Sequence, residues 1–313
     1  MGVCKGIVGA IDTLREVKGW KIELYAITIA SKDTVQKVGK CEKYFNNLRS
    51  VKDTISPEDK LNREREVLEA LQEKEVQAIA MIPQDEIDSK KAISEATANG
   101  ILVGCYDHCV NESDAQYLVI TNYKSDQAEL GKSTGEAVVD WYHDQTEIKE
   151  LKVGVIKACD SDGCYKRVAG FRKALNDAQI SWTEVAYRTR AFKVDTKELA
   201  CELLRDHPDV NILWSTNEDG TKGALECLSD DGIKNENRSN IKVFGTDWNE
   251  DFAEHFNTGR LMGVTMQSPE SMGDKFVTQA MAILGGEQIN YDQTTTPNIR
   301  CTKDNYKKNC VSP

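Results

Sequence analysis

Along most of the chain, short continuous runs of hydrophobic residues alternate with stretches in which hydrophobic residues recur at helical spacing. Short apolar runs such as "VQAIAMIP" (76–83) and "LKVGVIKA" (151–158) are typical of strands that are buried on both faces. Between such runs, stretches such as 165–177 carry apolar residues at helical spacing. Strands that alternate with amphipathic helices predict an α/β fold in which helices cover both faces of parallel sheets.

The alternation occurs in two consecutive sets, which predicts two α/β lobes. The chain opens with a predicted helix at 6–18, the strand "WKIELYAITIA" (20–30) and a polar insertion at 33–57. The helices predicted after it span 59–74, 88–100, 126–142, 165–177, 196–206, 221–229, 249–258 and 271–284. The strands predicted after it are "VQAIAMIP", "ILVGCY" (101–106), "LKVGVIKA", "TEVAYRT" (183–189), "VNILWST" (210–216), "IKVFGTD" (241–247) and "LMGVTMQ" (261–267).

Charge and hydropathy exclude two classes of function. The 40 basic residues are spread along the chain and are outnumbered by 51 acidic ones, whereas nucleic-acid binding requires a concentrated basic face. No apolar run approaches the roughly 20 residues of a membrane span. The first residues lack the apolar core of a secretory signal, so any leader is expected outside this sequence.

The ten cysteines bear on the cellular compartment. Three pairs are close in sequence and are typical of short disulfide-closed loops in an oxidising compartment. Free cysteines and a metal site are the alternatives, although no C-x-x-C occurs and the four histidines are scattered. The spacing assigns no partners to Cys4, Cys41, Cys201 and Cys227. The three pairs are Cys105 with Cys109, Cys159 with Cys164, and Cys301 with Cys310.

Polar side chains follow the predicted strands, where open parallel sheets bind their ligands. The set contains no nucleophile paired with a base, so it suits holding a polyhydroxylated molecule better than transforming one. It also calls for no cofactor and no metal. The segments and residues that follow the strands are Asp107, "CDSDGCYKR" (159–167), Asn217, Asp247 and Gln267.

Aromatic residues offer two further candidates. Trp248 follows Asp247 directly, and Phe192 lies in the loop "RTRAFKVD"; either could stack on a sugar ring or belong to the core. Trp141 and Trp214 fit a helix face and a strand interior, and are interpreted as core.

The segment "DQAELGKST" (126–134) ends like a phosphate-binding loop. Asp126 stands where that loop needs a glycine, and a carboxylate there would repel phosphate. An ordinary helix is therefore expected, with Asp126 near its N-cap and with Gly131 and Gly135 permitting close packing. A phosphate-binding α/β enzyme remains the alternative.

Several ordered motifs resemble the type I periplasmic sugar-binding proteins, the ribose-, galactose- and arabinose-binding relatives whose fold also forms the sensor core of LacI-type repressors. The motifs lie between about residues 59 and 308. The resemblance implies two Rossmann-like lobes with parallel sheets, joined by a three-strand hinge. It places the lobe boundaries at 1–124 with 268–295, and at 125–267 with 296–313. The motifs are "VQAIAMIPQD" through "ILVGCYD", "CYKRVAGFRKAL", "STNEDGTKGALECL", "IKVFGTDWNEDFAEHFNTGRLMGVTMQSPESMG" and "TTPNIRCTKDN".

The resemblance also implies site residues. His108 falls where ribose-type sites have a second contact, so it either donates to the ligand or is simply exposed. Phe192 matches the stacking aromatic less well because its loop differs in length. Cys105 and Cys109 are then expected to pin the loop that presents Asp107. The residues that match ligand-contacting positions are Asp107, Arg167, Asn217, Asp247 and Gln267.

The chain departs from the family pattern at its front. The family begins with a strand and a ligand-contacting loop ahead of the first helix, whereas this chain opens inside that loop or helix. One expectation is that the natural start lies upstream. The other is that the lobe is rearranged and uses the 33–57 insertion as cover.

The resemblance thus implies a solute-binding protein that closes on a small polar ligand, a monosaccharide in the first instance, in an interlobe cleft. It implies no enzymatic reaction and no nucleic-acid partner. The expected partner is an ABC permease or a receptor, and the expected state is a monomer in the periplasm or outside the cell. The sensor core of a LacI-type regulator is the alternative, and the cysteine density argues against its cytosolic location.

Overall fold

The computed structural model describes residues 25–26, 36–37, 56–159, 161–189, 195–230 and 238–310. The chain divides into two compact units, and passes from one to the other three times. Unit 1 comprises Met1–Ser125 and Ser268–Thr296, and unit 2 comprises Asp126–Gln267 and Pro297–Pro313. The helix expected at 6–18 lies outside the described residues, as do the strand at 20–30 and the insertion at 33–57 apart from two short strands and the last two residues.

The helices follow the sequence pattern closely, and several begin at a side chain that caps the first turn. Asp126 accepts a hydrogen bond from the Glu129 backbone N–H (3.0 Å), and Asn217 accepts one from the Gly220 N–H (3.0 Å). The Asn217 cap starts its helix three residues before the predicted 221. The described helices are α1 Pro57–Gln72, α2 Lys90–Ala98, α3 Glu112–Leu118, α4 Gln127–His143, α5 Asp162–Asp177, α6 Thr196–Asp206, α7 Glu218–Ser229, α8 Phe252–Asn257, α9 Pro269–Leu284 and α10 Tyr306–Asn309.

Six strands of the two sheets lie within the predicted apolar runs, and a seventh, Trp182–Thr189, begins one residue before its predicted run. The strands at Thr121–Ser125, Thr295–Thr296 and Ile299–Thr302 were not predicted. A short antiparallel pair is formed by β1 and β2. The other strands form one sheet in each unit. The described strands are β1 Tyr25–Ala26, β2 Gln36–Lys37, β3 Ala78–Met81, β4 Leu102–Tyr106, β5 Thr121–Ser125, β6 Leu151–Lys157, β7 Trp182–Thr189, β8 Ile212–Ser215, β9 Lys242–Thr246, β10 Leu261–Met266, β11 Thr295–Thr296 and β12 Ile299–Thr302.

Both sheets are built from parallel strands, so the α/β prediction is confirmed. Unit 1 has the order β11-β5-β4-β3, with every pair parallel. Unit 2 has the order β12-β10-β9-β8-β6-β7, and its edge strand β12 alone runs antiparallel, beside β10. Within each unit, the carboxyl ends of the parallel strands therefore lie along one edge of the sheet.

The unit 2 sheet is covered on both faces. Along β8, Ile212 and Trp214 pack with residues of α4 and α5, whereas Leu213 packs with residues of α6, α7 and α8. The Trp214 ring is fully buried and stacks on Phe171, with ring centroids 4.0 Å apart. Trp141 packs against the same cluster, so both tryptophans are core residues as predicted.

Unit 1 follows the same plan on a smaller sheet. In β4, Val103 packs with residues of α2 and α3, while Leu102 belongs to a cluster with Phe276 of α9. Helix α9 therefore covers one face, although it is separated in sequence from the strands that it covers.

Candidate functional site

Two aspartates at strand ends have an unusual backbone conformation. Asp107 follows β4 and has a φ of 67°, and Asp247 follows β9 and has a φ of 66°. The N–H of Asp107 donates to the Tyr123 carbonyl oxygen on β5, and that of Asp247 donates to the Thr265 carbonyl oxygen on β10, both at 2.9 Å. Left-handed backbone is uncommon outside glycine, although aspartate tolerates it, and such strain is concentrated at functional sites.

A tight turn presents Asp107. The His108 N–H donates to the Tyr106 carbonyl oxygen (2.9 Å), two residues back, so Asp107 is the central residue of a γ-turn with positive φ. The disulfide between Cys105 and Cys109 spans this turn, with the two Cα atoms 5.4 Å apart. The carboxyl end of β4 thus leads into a five-residue loop that the disulfide closes, with Asp107 at its centre.

His108 is held beside Asp107. Its Nδ1 lies 3.5 Å from Asp107 Oδ2, and its Nε2 lies 2.9 Å from the Pro83 carbonyl oxygen. The hydrogen bond with Asp107 is the main cause that raises the pKa of His108 above its ordinary value, against the opposing effect of burial. The side chain is about half exposed (48%), so it can also reach a ligand.

The loop that supplies the Pro83 carbonyl is itself supported from α1. Glu64 is buried, and its carboxylate accepts a hydrogen bond from the Gln84 backbone N–H (2.7 Å). Burial raises the pKa of Glu64 above its ordinary value. No sequence pattern marked this carboxylate, because a glutamate on a helix is ordinarily solvent-exposed.

In unit 2, Arg167 joins two of the predicted site positions. Its Nη1 donates to Asp247 Oδ2 (2.9 Å) and to the Thr216 carbonyl oxygen (2.7 Å), directly before Asn217. Its Nε donates to Gln127 Oε1 (2.7 Å). The arginine side chain is only 8% exposed, whereas that of Asp247 is 26% exposed. Arg167 therefore lies beside Asp247 and beside the residue that precedes Asn217. Gln127 and Thr216 were not predicted as partners of Arg167.

Close packing of α4 on α5 positions Arg167. A Cβ added to Gly131 of α4 would meet the Arg167 backbone carbonyl, and one added to Gly170 of α5 would meet the Ala128 carbonyl. Lys132 lies on the surface of α4 and pairs with Glu129 (3.2 Å). The segment 126–134 is thus an ordinary helix whose glycines allow close packing, and it does not form a phosphate-binding loop.

The remaining polar candidates lie at the same edge of the unit 2 sheet. The Asn217 Oδ1 caps α7, so the group that this side chain can offer a ligand is its amide nitrogen. Gln267 follows β10, and its Oε1 is buried and accepts no hydrogen bond from the residues that the structure describes. A buried acceptor of this kind is costly unless a ligand or water satisfies it.

The aromatic candidates have different outcomes. Trp248 is partly buried and lies in an aromatic cluster, where its ring is offset-stacked on Phe256 (5.9 Å) and Tyr306 (6.1 Å). The Trp248 ring therefore packs against the core of unit 2, although the residue directly follows Asp247 at the strand end. Phe192 lies outside the described residues.

The three short-range disulfides expected from the spacing are formed, together with a fourth that links α6 to α7. Cys159 and Cys164 close the loop after β6. The last residue of β6, Lys157, is fully buried. Lys157 Nζ donates to the Cys159 carbonyl oxygen (2.9 Å) and lies 3.9 Å from the centroid of the Tyr165 ring. Cys4 and Cys41 lie outside the described residues. The other pairs are Cys105–Cys109, Cys201–Cys227 and Cys301–Cys310.

Two structural absences apply to the described part of the chain. It contains no group of three or more histidine, cysteine, aspartate or glutamate side chains that could hold a metal ion. None of its helices is both long and apolar enough to cross a membrane.

Comparisons with known proteins agree with this geometry. Residues 35–288 match the family model described as "Periplasmic binding protein domain". The chain is 23% identical over 236 residues to the ABC transporter periplasmic-binding protein YphF of Escherichia coli (strain K12), covering 73% of this chain and 70% of that protein. It is 26% identical over 224 residues to the ribose import binding protein RbsB of Bacillus subtilis (strain 168), covering 71% and 68%.

Solved structures show the same fold. A carbohydrate transporter solute binding protein from Agrobacterium radiobacter, in complex with D-arabinose, superposes with a TM-score of 0.67 at 16% identity. The match covers 98% of this chain and 92% of that protein. At this level of identity the likeness concerns the fold.

Proposed function

The chain belongs to the periplasmic binding protein family, and we propose that it captures a monosaccharide and presents it to the permease of an ABC transporter or to a membrane receptor. Relatives named as ribose import binding proteins and as an ABC transporter periplasmic-binding protein support both parts of this proposal. The family consists of binding proteins and not of enzymes, so no reaction is assigned.

The observation that carries the proposal is the pair of strand-end aspartates, Asp107 and Asp247. Both have the same left-handed backbone conformation, and both have partly exposed carboxylates, at 38% and 26%. A carboxylate accepts hydrogen bonds from two vicinal hydroxyl groups, which is the recognition that a sugar requires. Conformational strain held at two equivalent positions supports a role in binding.

The other groups complement these carboxylates. The guanidinium of Arg167 and the amide nitrogen of Asn217 donate to ring or hydroxyl oxygens, and the buried Oε1 of Gln267 accepts from a hydroxyl. Trp248, with its partly buried ring, offers an apolar surface to one sugar face. The proposed ligand-binding residues are Asp107, His108, Arg167, Phe192, Asn217, Asp247, Trp248 and Gln267.

The disulfides bear on location. Bonds at four positions of the described chain are typical of proteins in an oxidising compartment, so we place the protein in the periplasm or outside the cell. The same bonds disfavour a cytosolic LacI-type sensor core. We propose a monomer, which size-exclusion chromatography with light scattering would test.

The direct test is a thermal-shift screen against a sugar panel, followed by titration calorimetry. D-ribose, D-arabinose and D-galactose form the first set, with glycerol as a non-sugar polyol. A sugar present at a hundred times its Kd stabilises the folded state by about 2.7 kcal/mol. The absence of a shift with every sugar in the panel would contradict the proposal.

A pair of variants connects binding to the site. Asp247→Ala removes the proposed carboxylate contact, and the Kd should rise about tenfold or more. The matched control is Asp209→Asn, since Asp209 precedes β8 at the opposite edge of the same sheet and pairs with Lys152. Equal affinity of Asp247→Ala and the parent protein would remove Asp247 from the site while leaving the family assignment intact.

A further inference from the structure

Asp107 is held in a backbone conformation that is uncommon for residues other than glycine. The γ-turn centred on it has a φ of 67°, which is strained for a residue with a Cβ. Its carboxylate is 38% exposed. A covalent bond between the residues on the two sides of the turn restrains the backbone around it.

The flanking cysteines are anchored in the core. Cys105 and Cys109 are 1% and 5% exposed, and both belong to a buried cluster with Val103 and Val110. The disulfide joins them across the turn, with Cα atoms 5.4 Å apart. The bond fixes the separation of the two ends of the loop, so the three residues between them have little freedom to unwind.

Unit 2 provides an internal comparison. Asp247 has nearly the same φ, 66°, and the same backbone hydrogen bond to the next strand, yet no disulfide spans it. Its carboxylate is instead paired at 2.9 Å with Arg167, whose side chain is 8% exposed. The imidazole of His108 lies beside Asp107 at the longer distance of 3.5 Å and is 48% exposed. A partly buried ion pair thus holds the Asp247 carboxylate, whereas a covalent bond spans the turn at Asp107.

We infer that the Cys105–Cys109 disulfide is a positioning element of the binding site, which holds Asp107 in the conformation that binds sugar. This inference rests on the proposed function, in which Asp107 contacts the ligand. When the bond is removed, the turn relaxes toward ordinary backbone, and sugar binding must then restore the strained conformer. Affinity therefore falls even though neither cysteine touches the sugar.

The test compares two disulfide-deleted proteins. Cys105→Ala/Cys109→Ala should bind D-ribose, D-arabinose or D-galactose about tenfold more weakly than the parent protein by titration calorimetry. The control is Cys201→Ala/Cys227→Ala, whose disulfide joins α6 to α7 and is equally buried. The control should lose stability but keep its Kd. Kd values within about twofold of the parent for both variants would overturn the inference.

A double-mutant cycle separates positioning from general loosening of the unit. Asp107→Asn keeps a residue that tolerates left-handed backbone, but it weakens the proposed contact. If the disulfide acts through Asp107, the two changes should be strongly non-additive in Kd. Additive losses would refute a positioning role. Should the double alanine variant fail to fold, Cys109→Ala alone keeps the Cys105 side chain in the buried cluster and replaces it in the cycle.

A ligand-free measurement distinguishes failure of this inference from failure of the proposed function. The Asp107 amide donates to the Tyr123 carbonyl oxygen on β5 and the His108 amide to the Tyr106 carbonyl oxygen within the turn, so the hydrogen exchange of both should be slow in the parent protein. Both amides should exchange faster in Cys105→Ala/Cys109→Ala, while the Leu102 amide, which donates to the Gln77 carbonyl oxygen (3.0 Å), stays protected. If no sugar binds the parent protein, the proposed function fails, and unchanged exchange at both turn amides then overturns the positioning role as well.

Discussion

Substitutions of Asp247 separate two contributions that this residue makes to stability. Replacement removes the carboxylate that accepts a charge-assisted hydrogen bond from Arg167 at 2.9 Å. It also places a different residue at a φ of 66°. Alanine, glycine and asparagine are all uncharged, but they differ in whether they accept a hydrogen bond and in the backbone conformation that they tolerate, so the three variants together resolve the contributions.

The magnitudes follow from the contacts. Arg167 is 8% exposed and keeps the Thr216 carbonyl and Gln127 as acceptors, so loss of Asp247 costs about 1–2 kcal/mol, less than a fully orphaned buried charge. Left-handed backbone costs alanine about 1–2 kcal/mol, and glycine forfeits about 0.5–1 kcal/mol of chain entropy. Asp247→Gly should therefore be more stable than Asp247→Ala by about 1 kcal/mol. Asp247→Asn, which tolerates the conformation and still accepts a hydrogen bond, should lose less than about 1 kcal/mol.

Urea unfolding of the three variants measures these differences. The matched control is Asp140, which lies within helix α4 and pairs with Arg300 at 3.0 Å. At this helical position the order should reverse, with the alanine variant more stable than the glycine variant by about 1 kcal/mol. If Asp247→Ala and Asp247→Gly unfold at the same urea concentration, the reasoning from backbone strain is wrong.

Three further predictions concern titration and packing. The hydrogen bond with Asp107 raises the pKa of His108 above 6.5, so the stabilisation from protonated His108 should be full below about pH 6.5 and lost as the pH rises through the folded-state pKa. Urea midpoints across this range should vary less in His108→Gln than in the parent protein. An unchanged pH profile in that variant would contradict the assignment. Burial raises the pKa of Glu64 above 4.5, so folding favours the protonated carboxyl group and stability should fall as the pH rises just above about 4.5. Glu64→Gln should remove this pH dependence of the urea midpoint. If the dependence persists in the variant, another group causes it. Gly131→Ala places a methyl group against a backbone carbonyl of α5 and should destabilise the protein by about 1–3 kcal/mol in thermal unfolding. The control Gly163→Ala, whose added methyl group would lie 3.4 Å from its nearest neighbour, should not destabilise it. Equal effects of the two substitutions would refute the close-packing argument.

Most strands and most helices could be predicted because burial imposes a period on the sequence, whereas the short strands β11 and β12 and the polar strand β5 lack that signal. Strands β6 and β8 are covered on both faces, so they read as continuous apolar runs, and helix α6 occupies the predicted residues 196–206. The polar residues at the strand ends followed from the same pattern, since parallel strands bring their carboxyl ends to one edge.

The network around Arg167 could not be predicted in this way. Gln127 and Thr216 are 40 and 49 residues from Arg167 in sequence, and no local pattern marks them as its partners. The left-handed conformation of Asp107 and Asp247 also leaves no local sign, because aspartate is equally common in ordinary turns.

Two further features were hidden for other reasons. Cys201 and Cys227 are 26 residues apart on two helices, so only the packing of those helices reveals their pairing. Lys157 ends a strand, where a lysine is usually exposed, yet its ammonium group is fully buried between a carbonyl and an aromatic ring.

The division of each unit into two stretches of chain has a consequence for biosynthesis. Strand β5 of unit 1 pairs with β11, and β10 of unit 2 pairs with β12, so neither sheet can be completed before residues 295–302 are synthesised. Helix α9, which covers one face of the unit 1 sheet, is also translated late. A ribosome that stalls before residue 268 would therefore leave two sheets with unpaired edges instead of one finished unit and one unfinished unit. Both units are therefore completed almost at the same moment, when residues 295–302 are synthesised.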